Sequence, residues 1–305
     1  MQLLKQLTSI HAPSGEEVVL KEFLIKYIRN NYENWLCKPE LIYGKKFQDC
    51  LLVKFGKPKV AVFCHMDSVG FNVKYGRELI KIGSPVVKED FILTGTDSRG
   101  QIECKIKVDE ETNKMYYVAR REIDRGTSLV YKHNFKESDN YIESCYLDNR
   151  LGIWVMLKLM ETLENGIIVF TCWEEIGGGS ASYLAKYIYE QLNINKALIA
   201  DITWVTGGIS HGNGVVISQR DKSIPRKSFF EQVKKLAKEN NIKFQIEVEN
   251  AGGSDGSEIQ KAPYPIDWLF IGAPEDGVHS PNEKVHKNDV KSMLEIYKLL
   301  LKKCR

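Results

Sequence analysis

The chain has 305 residues, 43% of them hydrophobic, enough to bury one large core or one core plus a smaller module, and nothing in it resembles a disordered tail. Forty-three basic against forty acidic residues leave a net charge of +3, too even a balance for a dedicated nucleic-acid or membrane surface, so the expected partner is small. No apolar stretch approaches the roughly 20 residues that cross a bilayer, no signal peptide precedes Leu3, and seven cysteines (Cys37, Cys50, Cys64, Cys104, Cys145, Cys172, Cys304) are scattered without a CxxC pair, which suits reduced thiols in a cytoplasm.

In chain order, Ser14-Gly15-Glu16-Glu17 has the pattern of a capping box ahead of Val18, Val19, Phe23, Leu24 and Ile28 at helical spacing. The short apolar run 60–64 then delivers His65 and Asp67. From 68 to 144 the character changes to short alternating runs (71–75, 102–108 and 115–119) between charged turns, the pattern of a small all-β barrel that can act as a lid. Asp148 precedes Leu151, Trp154, Val155 and Leu157 at helical spacing. The run 166–173 stops at Glu174 and Glu175 and gives way to three glycines. Ionised carboxylates crowning a buried strand are costly unless a cation or several donors compensate them. A helix is predicted over 180–191, the run 197–200 delivers Asp201, a second helix follows over 227–240, the run 266–271 leads into the loop holding His279, and a last helix spans 289–302.

Short apolar runs bounded by glycine, proline and polar clusters are strands covered on both faces, and helices alternate with them. The expected fold is a three-layer α/β/α domain with a mostly parallel mixed sheet: a first part over 1–67, a β-barrel-like insertion over 68–144, and a second part over 145–305. Such sheets bind ligands outside the carboxyl ends of their strands, where the His, Asp and Glu side chains would converge.

Taken singly, each candidate has an ordinary reading. Asp148 is a natural N-cap, Glu174 and Glu175 suit the first turn of a helix, and a lone His65 suits a structural role. Cys64 beside His65 invites a nucleophile reading, but neighbours on a strand point to opposite faces, so Cys64 is a core residue. His11, His133 and His211 lie in turns or in the β insertion, and His286 is the stronger rival to His279. Jointly, two histidines and three carboxylates, one able to bridge, match co-catalytic sites whose ions stand about 3.5–4 Å apart; no HExxH motif is present.

At this point His65-Met-Asp67-Ser-Val-Gly70-Phe, Leu147-Asp148-Asn149-Arg150, Trp173-Glu174-Glu175-Ile-Gly, Ala200-Asp201, Gly252-Gly-Ser-Asp255 and Val278-His279-Ser-Pro-Asn-Glu283 resemble, in order, the glutamyl and deblocking aminopeptidase family of two-metal peptidases, whose relatives have also been labelled endoglucanases. The resemblance covers nearly the whole chain. It implies two divalent ions, zinc first with cobalt and manganese as alternatives: His65 and Asp201 hold one, Glu175 and His279 the other, and Asp148 bridges. It implies Glu174 as general base, Asp67 as the carboxylate orienting a ligating imidazole, short peptides as substrates, a homo-oligomer, and a turn at Asp148-Asn149 that can be cis. Departures are a β insertion shorter than the family usually carries, Ser68 where an acidic residue commonly follows the Asp, and Trp204 just beyond Asp201 where the substrate side chain fits. The preferred N-terminal residue is left open. The competing readings are a metal-binding homologue without peptidase activity and a glycoside hydrolase using paired carboxylates.

Overall fold

The computed structural model describes residues 1–304. Its elements in chain order begin with α1 (Gln2–Thr8), α2 (Val18–Asn31), β1 (Glu40–Ile42), β2 (Leu51–Phe55) and β3 (Ala61–His65). Six short strands follow: β4 (Gly70–Val73), β5 (Glu78–Ile82), β6 (Ile92–Asp97), β7 (Gly100–Asp109), β8 (Lys114–Val118) and β9 (Ser128–Tyr131). Next come β10 (Lys136–Glu137), β11 (Tyr141–Ser144), α3 (Leu147–Met160), β12 (Gly166–Thr171), α4 (Ala181–Leu192) and β13 (Lys196–Trp204). The chain closes with β14 (Val215–Arg220), α5 (Lys227–Glu239), β15 (Phe244–Val248), α6 (Asp255–Lys261), β16 (Asp267–Asp276), β17 (Glu283–His286) and α7 (Lys287–Lys303).

The large sheet runs β1-β2-β12-β3-β13-β16-β17-β11-β10, with β14 on β16 and β15 on β14. Its centre is parallel, since β3 lies between β12 and β13, and β13 runs beside β16; β2 on β12, β17 on β16 and β14 on β16 are antiparallel, which makes the sheet mixed. Every residue of β3 and β12 is buried, as expected of apolar strands with helices on both faces. Helix α3 packs on β13, β3, α1 and α7, while α4 and α6 pair with each other and α6 meets β16, β13 and β3. Parallel register puts His65 opposite Thr171, so β3 and β12 end together, and since Ile199 pairs with Phe63, Asp201 two residues on is level with His65 at the same edge of the sheet.

Strands β4 to β9 close into a separate barrel in the order β4-β5-β8-β7-β6-β9, with its own core around Phe71, Leu93, Leu129 and Tyr131. Strand β7 shows why: Ile102, Cys104 and Ile106 point inward while the residues between them are exposed, the two-residue alternation of a strand with one wet face. The barrel's strands end at Tyr131. Strands β10 and β11 belong to the large sheet, β11 pairing with β17 from Tyr141 opposite His286 to Ser144 opposite Glu283.

Two local expectations give way to tertiary partners. Helix α2 starts at Val18 with no side-chain cap bond; Ser14 instead donates to Asp67 Oδ2 at 2.6 Å, and Glu17 accepts the Gly15 and Trp173 N–H groups at 2.9 and 3.1 Å. Asp148 caps nothing. It sits inside α3 with φ −75° and ψ 108°, and the Asp148-Asn149 peptide is cis.

Candidate metal centre and cleft

The strand ends gather two groups of donors around one carboxylate. His65 Nε2 lies 3.1 Å from Asp148 Oδ1 and 3.5 Å from Asp201 Oδ1, and His279 Nε2 lies 3.3 Å from Asp148 Oδ2 and 3.0 Å from Glu175 Oε2. In each group, His65-Asp148-Asp201 and Asp148-Glu175-His279, one donor atom per residue falls within 4.8 Å of the others. The two oxygens of Asp148 therefore face different groups.

Each donor is aimed by its neighbours. His65 ends β3 with Nδ1 3.2 Å from the Asp67 carbonyl, which leaves Nε2 for the site. His279 has a left-handed φ of 62°, and its Nδ1 meets Ser84 Oγ at 2.8 Å, which likewise leaves Nε2 inward. Asn149 Nδ2 donates to the Ala200 carbonyl at 2.8 Å and Asn149 Oδ1 accepts the Gly152 N–H at 3.0 Å, tying the Asp148 turn to the strand that carries Asp201. Glu174 and Glu175 open a short 3-10 turn after β12 rather than continuing the strand. Their N–H groups donate to Asp67 Oδ1 and Oδ2, each at 3.1 Å.

The Asp67 carboxylate is held chiefly by the glutamate turn and Ser14. It is 3.5 Å from His65 Nδ1, further than the Asp67 carbonyl, and fully buried it takes the two glutamate N–H groups and the Ser14 hydroxyl. Burial works against its charge, yet His65, Ser14 and the Glu175 N–H hold its pKa below the ordinary carboxylate value. Arg150, fully buried, donates to the carbonyls of Met66, Asp67 and Ala12 and so clamps the same loop from beneath.

Three supports were not legible in the sequence. Glu283, 1% exposed, accepts the Asp148 N–H at 3.2 Å through Oε2 and the His279 N–H at 2.9 Å through Oε1, fixing the backbones on which two donors stand. Its place in the Val278-to-Glu283 motif was the only available signal. Ser84 lies just after β5, and Tyr131 of the barrel donates to the His279 carbonyl at 3.0 Å while the Val86 N–H does so at 2.8 Å. The barrel braces the His279 loop.

The remaining candidates lie elsewhere. His11 meets Glu16, His133 meets Thr8, His211 meets Asp276, and His286 Nδ1 accepts the Asn288 N–H; none joins either donor group among the described residues. The Cys64 thiol is buried, receives Asn149 Nδ2 at 3.5 Å, and is pushed well above its ordinary pKa by burial, so it is no nucleophile.

The site suits cations. Glu175 Oε1 is buried with no hydrogen-bond partner. Burial lifts Glu174 well above the ordinary carboxylate range and Glu175 to about 7, while His279 is pushed up to about 11 against its own burial by Asp148 and Glu175. Carboxylates outnumber cationic groups here, and the all-oxygen-and-nitrogen donor set fits zinc, cobalt or manganese. Beside the donors opens a cleft of about 660 Å³, reaching from His65 and His279 past Trp204 to Asp221 and Glu247.

The mixed α/β sheet with a barrel set into it is a fold shared with the aminopeptidase APDkam598 from the archaeon Desulfurococcus kamchatkensis, with TM-score 0.83, 23% identity, and 99% and 94% of the two chains covered. The Pyrococcus horikoshii TET1 peptidase, described as able to assemble into a tetrahedron or a large octahedral shell, matches with TM-score 0.82, 21% identity and 98% of each chain. The profile of the M42 glutamyl aminopeptidase family matches residues 82–296, and the chain belongs to that family. An Acetivibrio thermocellus protein named “Putative aminopeptidase” is 29% identical over 96% of each chain. No helix among the described residues is long and apolar enough to cross a membrane.

Proposed function

We propose that this protein is a metal-dependent aminopeptidase that removes the N-terminal residue from short peptides. The observation that carries the reading is the bridging position of Asp148, with Oδ1 3.1 Å from His65 Nε2 and Oδ2 3.3 Å from His279 Nε2. His65 and Asp201 would hold one divalent ion, Glu175 and His279 the other, and Asp148 both, with zinc the first choice. Bound there, the ions supply Lewis-acid polarisation of the scissile carbonyl and a water acidic enough to lose its proton near neutrality.

The chain's own residues do the rest. Glu174 takes the proton from the attacking water as the oxygen bonds to the carbonyl carbon, then gives it to the amine nitrogen as the C–N bond breaks. Asp67, through the Glu174 N–H, fixes where that carboxylate stands. Glycoside hydrolysis by a pair of carboxyls would leave His65, Asp201 and His279 without a task, so the peptidase reading is preferred.

The same reading includes a division into an α/β catalytic part (1–67 and 145–305) around an inserted module (68–144) whose barrel strands end at Tyr131 and whose last two strands join the large sheet, no nucleic-acid or membrane partner, a cytoplasmic setting, and self-assembly into a homo-oligomer. The test is release of nitroaniline from aminoacyl-nitroanilides with zinc, cobalt or manganese, and again with chelator. Release abolished by chelator and restored by metal is expected. Metal binding without release from any substrate would favour an inactive homologue instead.

A further inference from the structure

Beyond Asp201 the cleft ends in two buried carboxylates that pair with no cation among the described residues. Thr203 follows Asp201 by two residues on β13, so it shares that face and stands about 6–7 Å further along the strand. Its hydroxyl donates to Glu247 Oε1, and Glu247 is 5% exposed. Asp221, 7% exposed, follows β14, the strand that pairs with Glu247's strand β15. Asp221 Oδ1 accepts the Ser223 N–H, while Oδ2 has no hydrogen-bond partner among the described residues although the residue lines the cleft. Neither carboxylate forms an ion pair with a described residue; the nearby Lys222 and Lys261 are both exposed to solvent.

We infer that Asp221 and Glu247 form the pocket for the side chain of the substrate's N-terminal residue, and that they select lysine and arginine. This rests on the aminopeptidase reading above and names the substrate class it left open. The step of about 6–7 Å from Asp201 to Thr203, whose hydroxyl meets Glu247, is comparable to an extended four-carbon lysine stem. Trp204, 41% exposed, also lines the cleft, beside Gly252, and offers an apolar face to that stem. Two carboxylates left without a cation in a poorly solvated wall gain most from an incoming ammonium or guanidinium. Burial pushes Asp221 up to about 6 and raises Glu247, and an incoming cation would favour the ionised form of both. The same pair repels an N-terminal glutamate.

The test is kcat/KM of the metal-loaded full chain on lysyl-, arginyl-, leucyl- and glutamyl-nitroanilide. Lysyl and arginyl are expected to lead and glutamyl to be the poorest. In Asp221→Asn and Glu247→Gln the lysyl-to-leucyl ratio should fall roughly 10- to 100-fold, the worth of a hydrogen bond to a charged group. Competition in the unmodified protein needs no variant: free L-lysine should inhibit leucyl-nitroanilide hydrolysis at lower concentration than L-leucine or L-glutamate. Leucyl or glutamyl preference, an unchanged ratio in both variants, or weaker inhibition by lysine overturns this inference alone. Hydrolysis of none of the four substrates overturns the aminopeptidase reading, and this inference with it.

Discussion

Replacing Asp67 by Asn probes the least visible part of the site. Asp67 is fully buried and its two oxygens receive the Glu174 N–H, the Glu175 N–H and the Ser14 hydroxyl at 3.1, 3.1 and 2.6 Å. Asn keeps one acceptor and turns the other into a donor. Whichever way the amide lies, one backbone N–H of the glutamate turn then faces an N–H group in a dry interior. Losing one bond to a charged acceptor, and weakening those that remain, should cost about 2–4 kcal/mol. Urea denaturation of the metal-free protein reads that figure as a lower midpoint with unchanged slope. Because the same carboxylate sets the turn carrying Glu175, metal titration should show roughly 10- to 100-fold weaker binding. An unchanged midpoint together with unchanged metal affinity would refute the reasoning.

Glu174 belongs to neither donor group, so Glu174→Gln should retain its metal by elemental analysis while turnover falls at least about a hundredfold; unchanged turnover removes it as the base. Glu283→Gln keeps the shape but replaces one of the two acceptors that hold the Asp148 and His279 N–H groups, and about tenfold weaker metal binding in calorimetry is expected. A Cβ on Gly152 would stand 2.2 Å from Asn149 Oδ1 and 2.9 Å from the Ala200 carbonyl. Gly152→Ala should therefore lose about 1–3 kcal/mol despite better helix propensity, measured by thermal unfolding.

Much of the frame was legible because its physics is local. Buried strands such as β3 and β12 must be apolar along their length, so a His or a pair of Glu at their ends stands out, and the alternation in β7 announces a barrel with a wet outer face. What was not legible depends on partners far away in sequence. The Ser14-to-Glu17 pattern is a sound capping box, yet Asp67 and the Trp173 N–H compete for its side chains and win. The bracing of His279 by Ser84 and Tyr131 arises only once the barrel folds against the sheet. Strands β14 and β15, which carry the wall of the cleft bearing Asp221 and Glu247, are harder to read: Ser218, Gln219 and Arg220 cut the apolar run of β14 short, and Ile246 and Val248 of β15 are exposed.

The central claim is that one carboxylate joins two cations, and anomalous diffraction from zinc-loaded crystals tests it most directly. Two peaks about 3.5–4 Å apart are expected, one beside His65 and Asp201, the other beside Glu175 and His279, with Asp148 between them and both weakened in Asp148→Ala. A single peak, or peaks that leave Asp148 uncoordinated, would contradict the account.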